Sequence, residues 1–210
     1  MSADHPLHLN ADGLGKRHGR QWVLRGIHLE IKAGSVMAIL GSNGSGKSSL
    51  LRMLCGFDAP SEGTLLWTAE NLPLQRNGLP GHIAYCAPDQ SLILDLTVSE
   101  HIEAHGRLRQ MLDSADLSSV LELAMLSKRA DARVRDLSSG MRQRLALSLA
   151  FCTDASAIFL DEPVSHLDRD GRKWYSQLLD EWRLGRTLIV ASNHNAEEYP
   201  KTAERFELGS

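Results

Sequence analysis

The sequence predicts an α/β fold, a mostly parallel sheet with helices on both faces, and three observations carry that expectation. Val36-Met37-Ala38-Ile39-Leu40, Ala157-Ile158-Phe159-Leu160 and Thr187-Leu188-Ile189-Val190-Ala191 are short apolar runs, the pattern of strands buried on both sides. Helical spacing of apolar residues follows them, from Ser49 to Leu54, from Arg142 onward and through Trp174 and Leu178. Directly after the first run comes Gly41-Ser42-Asn43-Gly44-Ser45-Gly46-Lys47-Ser48, a glycine-rich loop entering a helix.

Taken in chain order, residues 7 to 32 mix strand-like Val23-Leu24 and Ile27 to Ile31 with turn formers, which predicts an antiparallel edge sheet. Pro60-Ser61-Glu62-Gly63 marks a turn before a short strand, Thr64 to Trp67, that extends it. From about 97 to 136, the segments around Glu100-Ala104, Leu108-Leu112 and Val120-Ala124 carry helical periodicity, which predicts a small helical subdomain. His101 and His105 lie four apart there. A zinc-protease helix needs glutamate directly after the first histidine, where Ile102 stands, so both are read as solvated. Trp174-Tyr175 and Leu178-Leu179 are read as packing.

The chain has 210 residues, enough for one compact domain over 1–210. Its net charge of −3 supplies no general basic field for nucleic acid. Three scattered cysteines make neither a disulfide framework nor a metal knuckle, and a reducing cytoplasmic setting fits them. The N-terminus lacks a signal-peptide pattern, and the apolar runs fall far short of the roughly 20 residues that span a bilayer, so a membrane role is expected to run through a partner.

The loop Gly41 to Ser48 is chemistry for a nucleoside triphosphate. Backbone amides curl around phosphate, the helix start adds partial positive charge, Lys47 reaches the outer phosphates, and Ser48 offers a hydroxyl to Mg²⁺. Ser49 continues the first turn. Asp161 and Glu162 end an apolar strand: the first is placed to hold the Mg²⁺ shell, the second to act as general base toward an attacking water. Leu137-Ser138-Ser139-Gly140-Met141 is a second anion-binding helix start. One triphosphate does not need two such cradles from one subunit, so Ser138, Ser139 and Gly140 are expected to serve the nucleotide of another.

In these motifs the chain resembles, over essentially its whole length, the ATP-binding cassette (ABC) ATPase subunits of membrane transporters, including short stand-alone subunits such as the haem-exporter type of cytochrome c maturation. Gly41 to Ser48 is similar to Walker A, Leu137 to Met141 to the signature motif, Ala157 to Glu162 to Walker B with its catalytic glutamate, and Ser165-His166-Leu167-Asp168 to the D-loop. The resemblance implies a P-loop NTPase that hydrolyses ATP with Mg²⁺. It also implies a head-to-tail dimer with itself or a related subunit, closed around ATP at the cytoplasmic face of the membrane and driving transmembrane permease subunits. Asp168 then belongs with the nucleotide-binding set. A nucleotide-gated module with negligible hydrolysis and a soluble ABC-type ATPase are the alternatives.

Three positions depart from the family pattern. His18 stands at the adenine-stacking position, with Trp22 close by. Pro88 occupies the place of the glutamine that touches Mg²⁺, leaving Gln90, Asp89 or water to substitute. Asn193 holds the register of the γ-phosphate histidine and is preferred over His194, because a one-residue slip off a strand reverses the side chain.

Overall fold

The computed structural model describes residues 2–88 and 92–209. It is organised around two sheets. Strands β1 (His8–His18), β2 (Gln21–Ile31), β4 (Glu62–Ala69) and β5 (Leu72–Leu74) form an antiparallel sheet in the order β2-β1-β4-β5. Strands β3 (Val36–Leu40), β6 (Ile83–Cys86), β7 (Ala157–Asp161), β8 (Thr187–Ser192) and β9 (Glu204–Glu207) form a parallel sheet in the order β6-β7-β8-β3-β9.

Every residue of β3, β7 and β8 is buried, the apolar runs together with the polar ends Asp161, Thr187 and Ser192. The two-residue pleat divides their side chains between two cores. Met37 and Ile39 face the antiparallel sheet and helix α1 (Lys47–Leu54), while Val36, Ala38 and Leu40 face helices α4 (Ser139–Cys152) and α5 (Arg169–Trp182). β6 and β9 were not read from sequence. β6 is four residues long, and β9 is the charged edge run Glu204-Arg205-Phe206-Glu207, whose polarity protects an open edge.

Helices α2 (Val98–Leu108) and α3 (Leu117–Leu123) pack on α4 around a third core that includes Val98, Ile102, Val120, Leu145 and Leu149. Thr97 and Glu100 start α2 with a reciprocal capping box. α4 serves two cores at once and is therefore apolar on nearly all sides. The helical periodicity of Leu108 to Leu112 is not realised. α2 ends at Leu108, and the next backbone joins the end of α4 instead: Leu112 N–H donates to Cys152 O (2.9 Å), and Asp154 N–H donates to Gln110 O (2.9 Å).

His101 and His105 are not solvated. His101 is buried, and His105 Nε2 lies 2.9 Å from Thr153 Oγ1. Burial holds the His101 imidazole below its ordinary value. For His105 burial acts first, with Arg109 and His101 adding, and the group is pushed down to about 4. The helical period placed them on one face and carried no information about which face is covered.

Candidate functional site

β3 ends at Leu40, and the chain turns through Asn43 and Gly44 into α1. Ser45 N–H donates to Ser42 O (3.2 Å), and Leu50 N–H closes the first helical turn on Gly46 O (2.8 Å). Gly46, the residue before α1, has φ 98°, a left-handed conformation that suits glycine, and gives the helix no side-chain cap. A Cβ there would also come within 2.8 Å of Leu24 Cδ2, so β2 is seated directly on the loop. The Lys47 ammonium is buried across the loop, donating to Gly41 O (2.9 Å) and Ser42 O (3.0 Å). Helix-terminal amides left without a side-chain cap beside a buried cation make an anion cradle. Ser48 and Ser49 lie in the first turn of α1.

Two strands away in the sheet, β7 delivers Asp161, buried, and Glu162. Glu162 holds φ 42°, a left-handed conformation rare for a non-glycine residue. Its N–H donates to Ala191 O on β8 (2.9 Å), and its carbonyl accepts from Ser165 N–H (3.1 Å). The parallel arrangement brings the ends of β3, β7 and β8 to one edge, the place where open α/β sheets bind ligands. The Ser48 hydroxyl and Asp161 carboxylate are hard oxygen donors of the kind Mg²⁺ takes.

Past β8, Asn193 is exposed, and His194, with φ 56°, sends Nε2 to within 3.9 Å of Glu207 Oε2 on β9. Behind this turn lies Glu198, which sequence reasoning missed: nothing marks one of two adjacent glutamates as buried. Burial pushes its carboxyl up to about 7. A hydrogen bond with Ser192 opposes the shift, and the negative charges of Glu162 and Asp161 add to it.

Ser138 caps α4, its Oγ accepting from Met141 N–H (3.2 Å), and Ser139 and Gly140 form the first turn. α4 packs beside β6, which stands three strands from β3 in the sheet. This turn and the loop at Gly41 head different helices of the same subunit, α4 and α1. Gln143 Nε2, also missed by sequence reasoning, donates to Pro163 O (2.9 Å) and ties α4 to the segment after Glu162. A Cβ on Gly140 would approach His166 O at 3.0 Å. Asp168 caps α5, with Oδ1 accepting from Gly171 N–H (2.8 Å).

His18 is exposed at the β1–β2 turn, and Trp22 lies against two guanidinium groups, Arg17 at 5.6 Å and Arg25 at 4.8 Å from the ring centre. Pro88 is exposed, whereas Asp89 and Gln90 lie outside the described residues. Among the described residues, no helix is long and apolar enough to cross a membrane.

Comparison with known proteins adds to this geometry. The chain is 33% identical over 201 residues to the Nod factor export ATP-binding protein I of Ralstonia nicotianae, covering 94% of this chain and 63% of that protein. It is 33% identical over 187 residues to ATP-binding cassette sub-family A member 7 of Rattus norvegicus, covering 85% of this chain and 8% of that protein. The chain thus spans less than two thirds of the length of these relatives, neither of which is a haem exporter. Among solved structures, it is similar to the dimeric ATP-binding cassette MJ0796 in a post-hydrolysis state bound to ADP and Pi. The TM-score is 0.79 at 25% identity, over 95% of this chain and 94% of that one. It is also similar to cbiO1 of Clostridium perfringens, part of the ABC transporter complex cbiONQ. There the TM-score is 0.72 at 26% identity, over 95% and 84% of the two chains. Residues 24–165, more than half the chain and including the phosphate cradle and the acidic strand end, match the family described as ABC transporter, and the chain belongs to that family.

Proposed function

We propose that the chain is an ATP-binding and ATP-hydrolysing subunit that dimerises around the nucleotide and drives a membrane-spanning partner. The observation that carries this reading is the convergence, at one edge of the parallel sheet, of the Gly41–Ser48 cradle with Asp161 and Glu162. Gly41 to Ser49 hold the phosphates, with Lys47 turning from its loop carbonyls to the outer phosphates. Bound Mg²⁺ supplies charge neutralisation of the phosphate oxygens, and Ser48, Asp161 and Gln90 are the residues assigned to hold it. Glu162 accepts the proton of the attacking water, and Asn193 contacts the γ-phosphate. His18 receives the adenine, because Trp22 is engaged by Arg17 and Arg25. Ser138, Ser139 and Gly140 of a second subunit close over the same triphosphate, with Asp168 beside the seam. Export is the direction named for the Nod factor relatives, and cargo choice belongs to the membrane partner.

Pro88 and Asn193 favour a second reading, a nucleotide-gated module with negligible turnover. One experiment separates the two. Turnover by the purified protein should fall about 100-fold or more in Glu162→Gln with ATP binding kept, and Lys47→Ala should lose binding. Equal background rates in wild type and Glu162→Gln, with ATP still bound, would establish the module. Turnover unchanged in Asn193→Ala would remove that residue from the γ-phosphate site.

A further inference from the structure

The turn that carries Glu162 is held in a conformation its own sequence disfavours. Among the described residues, six non-glycine positions have positive φ; Glu70, Asn71, Met125, Leu184 and His194 are exposed, and Glu162 is the one that is not. Glu162 also precedes Pro163, and a proline ring normally confines the residue before it to extended backbone. At φ 42° this segment relaxes unless its surroundings fix it.

The backbone groups of the turn show what fixes it. Glu162 N–H is tied to Ala191 O on β8 (2.9 Å), and Glu162 O accepts from Ser165 N–H (3.1 Å). Val164 N–H donates to the Glu198 carboxyl, and Val164 O accepts from Leu167 N–H (3.0 Å). Pro163 has no N–H, so its carbonyl is the backbone group by which that residue can be held. The donor it finds among the described residues is Gln143 Nε2 on α4, at 2.9 Å. Gln143 is 4% exposed, and an amide buried to that extent destabilises the fold unless it is paired. Gly140, three residues earlier on the same face of α4, lets the helix come close, since a Cβ there would stand 3.0 Å from His166 O. The helix meets the turn at two successive points, and Gln143 supplies the directional bond.

We propose that Gln143 is a positioning residue for hydrolysis: by fixing Pro163 it sets the aim of the Glu162 carboxylate at the attacking water. The proposal rests on the reading above that Glu162 is the base, and adds the side chain through which α4 holds it in place. Gln143 belongs to α4, whereas the phosphate cradle is built by the end of β3 and the start of α1, so its loss leaves ATP binding in place and shows in kcat. Displacing a reacting group by about 1 Å costs up to about 100-fold in rate.

The test compares the wild type with Gln143→Met, which keeps the length of the side chain and removes its N–H, and with Gln143→Lys, which returns a donor at similar reach. Gln143→Met should lower kcat about tenfold to 100-fold with KM for ATP within about twofold, and Gln143→Lys should recover most of the loss. In the Glu162→Gln background, Gln143→Met should leave the residual single-turnover rate as it stands, because the base it aims is gone. If Gln143→Met does not fold, Gln143→Glu, which turns an oxygen toward Pro163 O, should show the same loss of kcat. Wild-type kcat in the variant that lacks the donor, a KM that rises in step with the fall in kcat, or an equal further loss in the Glu162→Gln background would overturn the proposal. The two readings fail differently. A fast Gln143→Met beside a slow Glu162→Gln sinks this inference alone, whereas wild-type turnover no higher than that of Glu162→Gln sinks the hydrolytic reading and this inference with it.

Discussion

Glu198 places a nearly water-free carboxyl behind the turn that follows β8, in the field of Asp161 and Glu162. Below its unfolded value near 4.5 the group is protonated whether the chain is folded or not. As pH rises toward about 7 the unfolded carboxyl ionises freely while the folded one resists, so stability falls across that window and stays lower above it. Glu198→Gln should remove this dependence and raise unfolding free energy at about pH 8 by up to about 3 kcal/mol, with little change at about pH 4. Thermal melts of both proteins across that range measure it, and parallel curves would refute the assignment. The candidate phosphate site was legible because glycine spacing, lysine and the paired acids are dictated by backbone amides and charge. Glu198, Gln143 and His101 were not, because their importance lies in what covers them, and burial of a lone polar side chain leaves no pattern in the chain.

At the level of elements, Arg186 joins two helix ends. Fully buried, it donates to Phe151 O (2.8 Å) and Thr153 O (2.9 Å) at the end of α4, and to Arg183 O (3.0 Å) and Trp182 O at the end of α5. Burial pulls the guanidinium down to about 10, with Cys152 and Asp154 opposing the shift. Terminal carbonyls of both helices thereby find donors they lack within the helix. Arg186→Met strands these acceptors and should cost about 3 kcal/mol or more in urea unfolding, with Arg186→Lys recovering only part, since an ammonium lacks the planar fork. An unchanged midpoint in Arg186→Met would contradict this role. In sequence, Arg186 is a single charged residue between Gly185 and an apolar run, which is why the joint was invisible. β3, β7 and β8 were plain, since total burial demands continuous apolarity. β6 and β9 were not, one for its brevity and the other for its charge.

For the whole molecule, the presence of two anion-binding helix starts in one subunit, the Gly41–Ser48 cradle and the Ser138–Gly140 turn, predicts that a second copy, or a related subunit, completes the site. Glu162→Gln with ATP and Mg²⁺ should elute from a sizing column at twice the monomer mass and return to monomer without nucleotide. Adding Ser139→Arg, at an exposed first-turn position, should hold it monomeric while leaving ATP binding in place. A monomer under every nucleotide condition would argue against closure between like subunits. The layered plan of parallel sheet, antiparallel sheet and helices was readable from periodicity, whereas the order of strands across the sheet was not, because pairing joins segments distant in the chain, Val36 with Leu188 and Met37 with Glu204. The amide of Gln143 that reaches Pro163 has a mechanical meaning in this setting. A push on the serine turn at the head of α4 would reach, through this strut, the backbone next to the proposed base, so that the two move as one piece.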